Sequence, residues 1–308
     1  MTGVGMNRQS VLRFASFAFL VLVAGVAAAT GAADKKCPQC AKWNEPHQPF
    51  RIYGNTYYVG TQALSSVLIT SDFGHVLIDT GLPQTAPIIA ANIEALGFKV
   101  ADIKAILNSH AHPDHAGGIA ELQRLSGADV YLSRPSSEVL RSGKLAKDDP
   151  QYDKGKSTMP VPSRIWVVSD GQLLGIGSIR LRATATPGHT PGGTTWSWDA
   201  CEGDKCLHMA YVDSLSPVSS GSFRFSDSTS YPRVLDDYRI SFTRIEALPC
   251  DVLITPHPDQ SELFERIATR SADESEGIKD DTLCRKYAQS ARESLATRLD
   301  TEKQPVKP

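Results

Sequence analysis

Asn108-Ser109-His110-Ala111-His112-Pro113-Asp114-His115-Ala116-Gly117-Gly118 is the stretch from which the rest of the chain can be read. It follows the apolar run Ile103 to Leu107, read as a buried strand, and it packs four potential metal ligands into six residues. His110 and His112 alternate, so in an extended loop their rings project to one side, while Asp114 and His115 turn toward a second position. Imidazole nitrogen and carboxylate oxygen both suit zinc, at roughly 2.0 to 2.2 Å. One histidine here would pass for an ordinary loop residue, but three with an aspartate point to metal chemistry.

Two more histidines extend the set. His189 lies in the turn-rich segment Thr186-Pro187-Gly188-His189-Thr190-Pro191-Gly192-Gly193, and His257 follows the apolar run Val252 to Ile254 in Thr255-Pro256-His257-Pro258. Both are expected where a strand ends and a loop begins. Six ligands suffice for two metal ions with three protein ligands each, leaving open positions for water and substrate. His47, His75 and His208 have no such context and are expected to be bystanders. Asp79, closing the apolar stretch His75 to Asp79, is placed to steady a ligand imidazole through its other nitrogen.

Strand and helix signals alternate along the chain. Phe50 to Val59 reads as a hairpin around Gly54-Asn55, and Ser66 to Thr70 and Val130 to Leu132 as short strands. A helix is expected after Thr85, with Ile89, Ile93 and Leu96 on one face and Gly97 at its end. A shorter one spans Ile119 to Leu125, with Ile119, Leu122 and Leu125 inward. Residues 143 to 163 are polar, contain proline and keep no period, as in a long surface loop. Strand patterns resume at Arg164 to Val168, Ile179 to Ala185, Thr194 to Trp198, Met209 to Asp213 and Val252 to Ile254. A last helix begins near Asp280 and repeats Leu283, Tyr287, Ala291 and Leu295.

The 308 residues include eight His and six Cys, with 32 Lys and Arg against 34 Asp and Glu. That near-neutral balance excludes nucleic acid as the main partner, since phosphate binding needs a basic excess. Residues 1–33 read as a secretory signal peptide, with Arg8 and Arg13 ahead of the uncharged stretch Phe14 to Ala29 and small residues at Ala27 to Ala29. Export implies a periplasmic or secreted protein, no membrane partner after cleavage, and cysteines more suited to disulfides than to metal. Six cysteines allow 15 connectivities. Cys201 and Cys206 bracket Glu-Gly-Asp-Lys and suggest a stapled turn, and Cys250 would then pair with Cys284. Cys37 and Cys40 form either a local disulfide or two idle thiols.

The His110-X-His112-X-Asp114-His115 string with His189 and His257 resembles the metallo-β-lactamase superfamily. Within it the chain resembles subclass B3 of the class B β-lactamases, through Pro187 to Thr194, Asp213-Ser214-Leu215-Ser216 and Thr255 to Pro258. The similarity runs from about Trp43 to the C-terminal helix and includes Cys250 and Cys284, where that subclass has a disulfide. It implies an α/β fold, a four-layer αβ/βα sandwich in one domain over residues 34–300, before a polar tail at 301–308.

The resemblance further implies two zinc ions per chain, the first on His110, His112 and His189, the second on Asp114, His115 and His257. Asp114 would also orient the attacking water, and Ser214 and Ser216 would position the substrate carboxylate. The implied activity is hydrolysis of the β-lactam amide, giving antibiotic resistance, by a monomer. Asp213 aligns with an aspartate that bridges the metals in thioesterase and lactonase relatives, so those activities are the alternative; a non-catalytic metal-binding protein is a third. Trp43 and the 143–163 loop, with Tyr152 and Met159, would flank the groove or merely pack.

Overall fold

The computed structural model describes residues 1–3, 37–270 and 277–304. The expected signal peptide falls almost wholly on residues 4–36, outside the described residues, as does the end of the tail.

Seven strands form the first sheet in chain order: β1 (Phe50–Tyr53), β2 (Thr56–Tyr58), β3 (Val67–Ile69), β4 (His75–Ile78), β5 (Ile103–Leu107), β6 (Asp129–Ser133) and β7 (Ile165–Val168). Pairing is antiparallel from β1 to β4 and parallel from β4 to β7. The second sheet holds β8 (Leu173–Ile176), β9 (Ile179–Ala185), β10 (Thr194–Glu202), β11 (Lys205–Tyr211) and β12 (Val252–Ile254). It is antiparallel except for the parallel pair β11 and β12.

The apolar runs are continuous because both faces of each sheet are covered, and successive side chains of one strand enter different cores. Val67, Ile69, Val76, Ile78 and Leu107 face the second sheet, where they meet Leu181, Trp196, Met209, Tyr211 and Ile254. Their neighbours Leu68, Leu77 and Ile106 point the other way, beneath α2 (Ala86–Ala95), α4 (Ile119–Ser126) and α5 (Arg134–Ser142), with a short α3 (Pro113–Ala116) that carries Asp114 and His115; α1 is the single turn Cys40–Trp43. On the far face of the second sheet, Ala210, Val212 and Leu253 are covered by α6 (Val234–Glu246) and α8 (Leu283–Glu302), with α7 (Leu263–Ala268) between them in sequence. The result is helix, sheet, sheet, helix, the four-layer sandwich expected.

Several expectations are corrected. Leu125 is 41% exposed, because six residues beyond Ile119 at 100° per residue lies about 120° off the buried face; Gln123 occupies the inward position instead. The 143–163 segment has no helix or strand but is not simply a surface loop: Leu145 and Met159 are buried in the helix-side core and Asp149 is 3% exposed. Helices α5 and α6 lie where no helix was expected. The last helix runs two residues beyond Asp300, and the buried Glu302 carboxylate accepts the Phe225 and Ser226 backbone N–H groups.

All three cysteine pairs are disulfides: Cys37–Cys40, Cys201–Cys206 and Cys250–Cys284. The second links facing residues at the β10–β11 turn. The third ties the chain just before β12 to the first turn of α8.

Candidate metal centre

The six expected ligands come from three chain segments that meet at one edge of the sandwich, beyond the carboxyl ends of β5, β9 and β12. His110, His112 and His189 form one group and Asp114, His115 and His257 a second, and within each group the ligand atoms lie within 4.8 Å of one another.

The loop after β5 is fastened at both sheets. Asp79, directly after β4, accepts hydrogen bonds from Ser109 N (2.7 Å), Ser109 Oγ (2.6 Å), Asn108 Nδ2 (2.9 Å) and Tyr211 Oη (2.9 Å). Its own backbone sits at φ 56°, a left-handed conformation unfavourable for a residue with a Cβ and sustained here by those four bonds. From the second sheet, Trp196 Nε1 donates to Asn108 O and Thr194 N to Ser109 O. Asp79 thus holds the loop more than a ring, since its Oδ2 is 3.8 Å from His115 Nδ1.

Each remaining imidazole is turned by a partner on its outer nitrogen, the usual way a protein fixes which nitrogen offers a lone pair. His110 Nδ1 donates to Asp213 Oδ1 at 2.7 Å, His189 Nδ1 to Ser216 O at 2.8 Å and His257 Nδ1 to Ala63 O at 3.1 Å. His112 is reversed, with Nε2 facing Asp149 Oδ1 and Oδ2 at 3.1 and 3.0 Å and Nδ1 turned inward. Gly193 makes room for the first of these pairs: a Cβ there would lie 2.3 Å from Asp213 Oδ2 and 2.4 Å from Thr186 O.

Burial pushes Asp79 up, and burial with the Asp79 charge pushes Asp213 well above the carboxylate range. Burial and neighbouring imidazoles push His110 well down, His189 down to about 3, and His257 down. For Asp114, burial acts upward but His115, then His257 and His112, hold the carboxyl well below its usual range. The His110, His189 and His257 rings are kept neutral, with lone pairs free for metal, whereas at His112 burial acts downward but the Asp149 carboxylate raises the ring's pKa overall. His110 Nε2 is buried without any hydrogen-bond partner, an arrangement that costs about 1 to 3 kcal/mol unless something binds there. The residues fit a metal.

A model of the metallo-β-lactamase superfamily matches residues 59–257. The chain belongs to the metallo-β-lactamase superfamily. Among its solved structures, Rm3 metallo-β-lactamase is 51% identical, with 87% of this chain and 99% of that one covered and a TM-score of 0.85. MEM-A1, a subclass B3 metallo-β-lactamase isolated from a soil metagenome library, is 47% identical over 84% and 98% of the two chains, TM-score 0.82. SMB-1 metallo-β-lactamase follows at 43%, over 85% and 99%, TM-score 0.81. These similarities place the chain in subclass B3. A hydroxyacylglutathione hydrolase of Rhodopseudomonas palustris is 29% identical over 191 residues, and the match spans about 60% of that curated relative's length.

Around the metallo-β-lactamase centre, Ser214 is buried and Ser216 half-buried, with their hydroxyls 3.0 Å apart and Ser216 Oγ 3.4 Å from His189 Nδ1. Trp43 sits beside His257, ring centroids 6.1 Å apart. Met159 and Tyr152 pack on the helix-side core, so the 143–163 loop reaches the ligand rings through other residues. His47 stacks on Phe264, His75 meets Phe98 edge-on, and His208 pairs with exposed Asp199, all outside the two ligand groups. Sequence reading missed Asp149 and Gln151, whose Nε2 lies 3.4 Å from both His112 Nδ1 and His189 Nε2. The one signal for them was the length of the loop that carries them.

Proposed function

We propose that this chain is an exported β-lactamase that opens the β-lactam amide with two zinc ions, one on His110, His112 and His189 and the other on Asp114, His115 and His257. The observation that carries the reading is the pair of ligand groups, each within 4.8 Å, with His110 Nε2 buried and unpartnered between protein atoms. Bound there, zinc supplies Lewis acidity, polarising a carbonyl oxygen and lowering the pKa of water to about 7.

The chain's own residues do the rest. Asp114, kept ionised by His115 at 3.3 Å and His257 at 3.6 Å, orients the attacking water with its carboxylate. Asp213, Ser216 O and Ala63 O hold His110, His189 and His257 in the tautomers that present Nε2. We assign the Ser214 and Ser216 hydroxyls, 3.0 Å apart, to donating to a substrate carboxylate. Residues 1–33 direct the chain to the periplasm; among the described residues no helix is long and apolar enough to cross a membrane.

The thioesterase alternative has the hydroxyacylglutathione hydrolase relatives behind it. Asp213 argues against it, because the carboxylate sits behind His110, with Oδ1 on Nδ1 and Oδ2 buried against Gly193. Purified protein should open a chromogenic cephalosporin, lose that activity to a chelator and regain it with zinc. Faster turnover of acyl thioesters than of any β-lactam would establish the alternative instead.

A further inference from the structure

In the first ligand group, two rings are steered by partners at or near regular structure. His110 leans on Asp213, two residues past β11, and His189 on the Ser216 carbonyl, which also accepts the Tyr238 hydroxyl of α6 at 2.9 Å. His112 has no such support. Its partner Asp149 belongs to the 143–163 segment, which contains neither helix nor strand.

Local bonds hold Asp149 in place. Its Oδ1 accepts the Gln151 backbone N–H at 2.7 Å, closing an Asx turn, and the Ser220 backbone N–H donates to Pro150 O at 2.9 Å. A cavity of about 240 Å³, lined in part by Ser136, Val139, Asp148, Asp149 and Thr190, opens beside this turn. On the other side of the same ring, Gln151 Nε2 approaches His112 Nδ1. The residues flanking Pro150 therefore address opposite nitrogens of one imidazole.

We propose that Asp149 is a positioning residue that selects the His112 tautomer presenting Nδ1, and that it thereby links metal binding to the order of the 143–163 segment. The inference rests on His110, His112 and His189 holding metal. With Nε2–H bound to the carboxylate, the lone pair is on Nδ1; without that acceptor the ring is free to rotate or to take the other tautomer. Linkage is reciprocal: a metal that fixes His112 fixes the Asp149 carboxylate, and with it the turn through Gln151.

Wild type, Asp149→Asn and Asp149→Leu are compared for zinc content, for zinc affinity by competition with a chromophoric chelator, and for amide hydrogen exchange across residues 143–163 with and without zinc. In wild type, zinc slows exchange in the segment. Asp149→Leu weakens one zinc by 10- to 100-fold, the usual cost of losing a partner behind a ligand, and zinc no longer protects the segment. Asp149→Asn, which keeps an acceptor oxygen, falls between the two. Wild-type zinc affinity in Asp149→Leu, or wild-type exchange indifferent to zinc, overturns the role of Asp149. If the Leu variant does not fold, the Asn variant and the wild-type exchange pattern decide. A wild-type chain that takes up no zinc overturns the metal reading as well, which separates the two failures.

Discussion

Asp213 Oδ1 and His110 Nδ1 lie 2.7 Å apart with both side chains wholly buried. This contact turns His110 Nε2 away from Asp213, whose other oxygen, Oδ2, is buried against Gly193 without a hydrogen-bond partner. Asp213 is thus held behind one of the rings that we assign to the first metal. Asp213→Asn should keep two zinc ions per chain at saturating zinc while lowering affinity by roughly 10- to 100-fold. Zinc content measured after dialysis into zinc buffer checks this, and a drop to one ion would mean that Asp213 is itself a ligand.

Asp114→Asn and His208→Ala form a contrasting pair. Asp114 is the one carboxylate in either ligand group, and we assign it both a metal and the attacking water, so its loss should lower kcat by at least about 10²-fold, within the span of positioned acid–base groups. His208 pairs on the surface with Asp199, both side chains more than half exposed, and an exposed pair contributes at most about 1 kcal/mol. Its replacement should leave kcat and KM near wild type. Comparable losses in the two variants would show that the ligand assignment is wrong.

The centre was legible because the ligands follow strand signals, the apolar runs Ile103 to Leu107 and Val252 to Ile254 and the alternating Ile179 to Ala185, so the strand ends bring together residues as far apart as His110 and His257. Asp149 was not legible, since its role depends on a partner 37 residues away and a Lys-Asp-Asp-Pro stretch reads as solvent-exposed charge. Helix α6 carried the spacing Val234, Tyr238, Phe242 and Ile245, all buried, but a preceding tract rich in serine obscured its start. Leu125 misled for the opposite reason, as an apolar residue at a plausible spacing whose angle carries it into solvent.

Breaking Cys250–Cys284 should destabilise the fold more than breaking either of the others. It closes the longest separation, 34 residues against 3 and 5, and closing a loop of that length restricts the unfolded chain by about 3 to 4 kcal/mol on the chain-entropy scale. It also anchors α8 to the second sheet. Urea midpoints of the Cys250→Ala/Cys284→Ala and Cys201→Ala/Cys206→Ala variants should therefore be ordered, with the first lower; the reverse order would contradict it.

Glu302 supplies the pH dependence that can be read without the metal. Its buried carboxylate accepts Phe225 N, Ser226 N and Arg298 Nε. Although burial acts upward, these bonds lower its pKa from 4.5 to about 2. A carboxyl that is more acidic folded than unfolded stabilises the protein fully above its unfolded value, and the contribution fades as pH falls toward the folded one. Glu302→Gln should therefore cost roughly 2 kcal/mol at pH 7, with the same gap down to about pH 4.5 and a clearly smaller one at pH 3. Urea unfolding of zinc-free protein at these three pH values makes the comparison without metal loss entering it. A gap that is undiminished at pH 3 would show that the Glu302 charge is not what holds the end of α8 against residues 225 and 226.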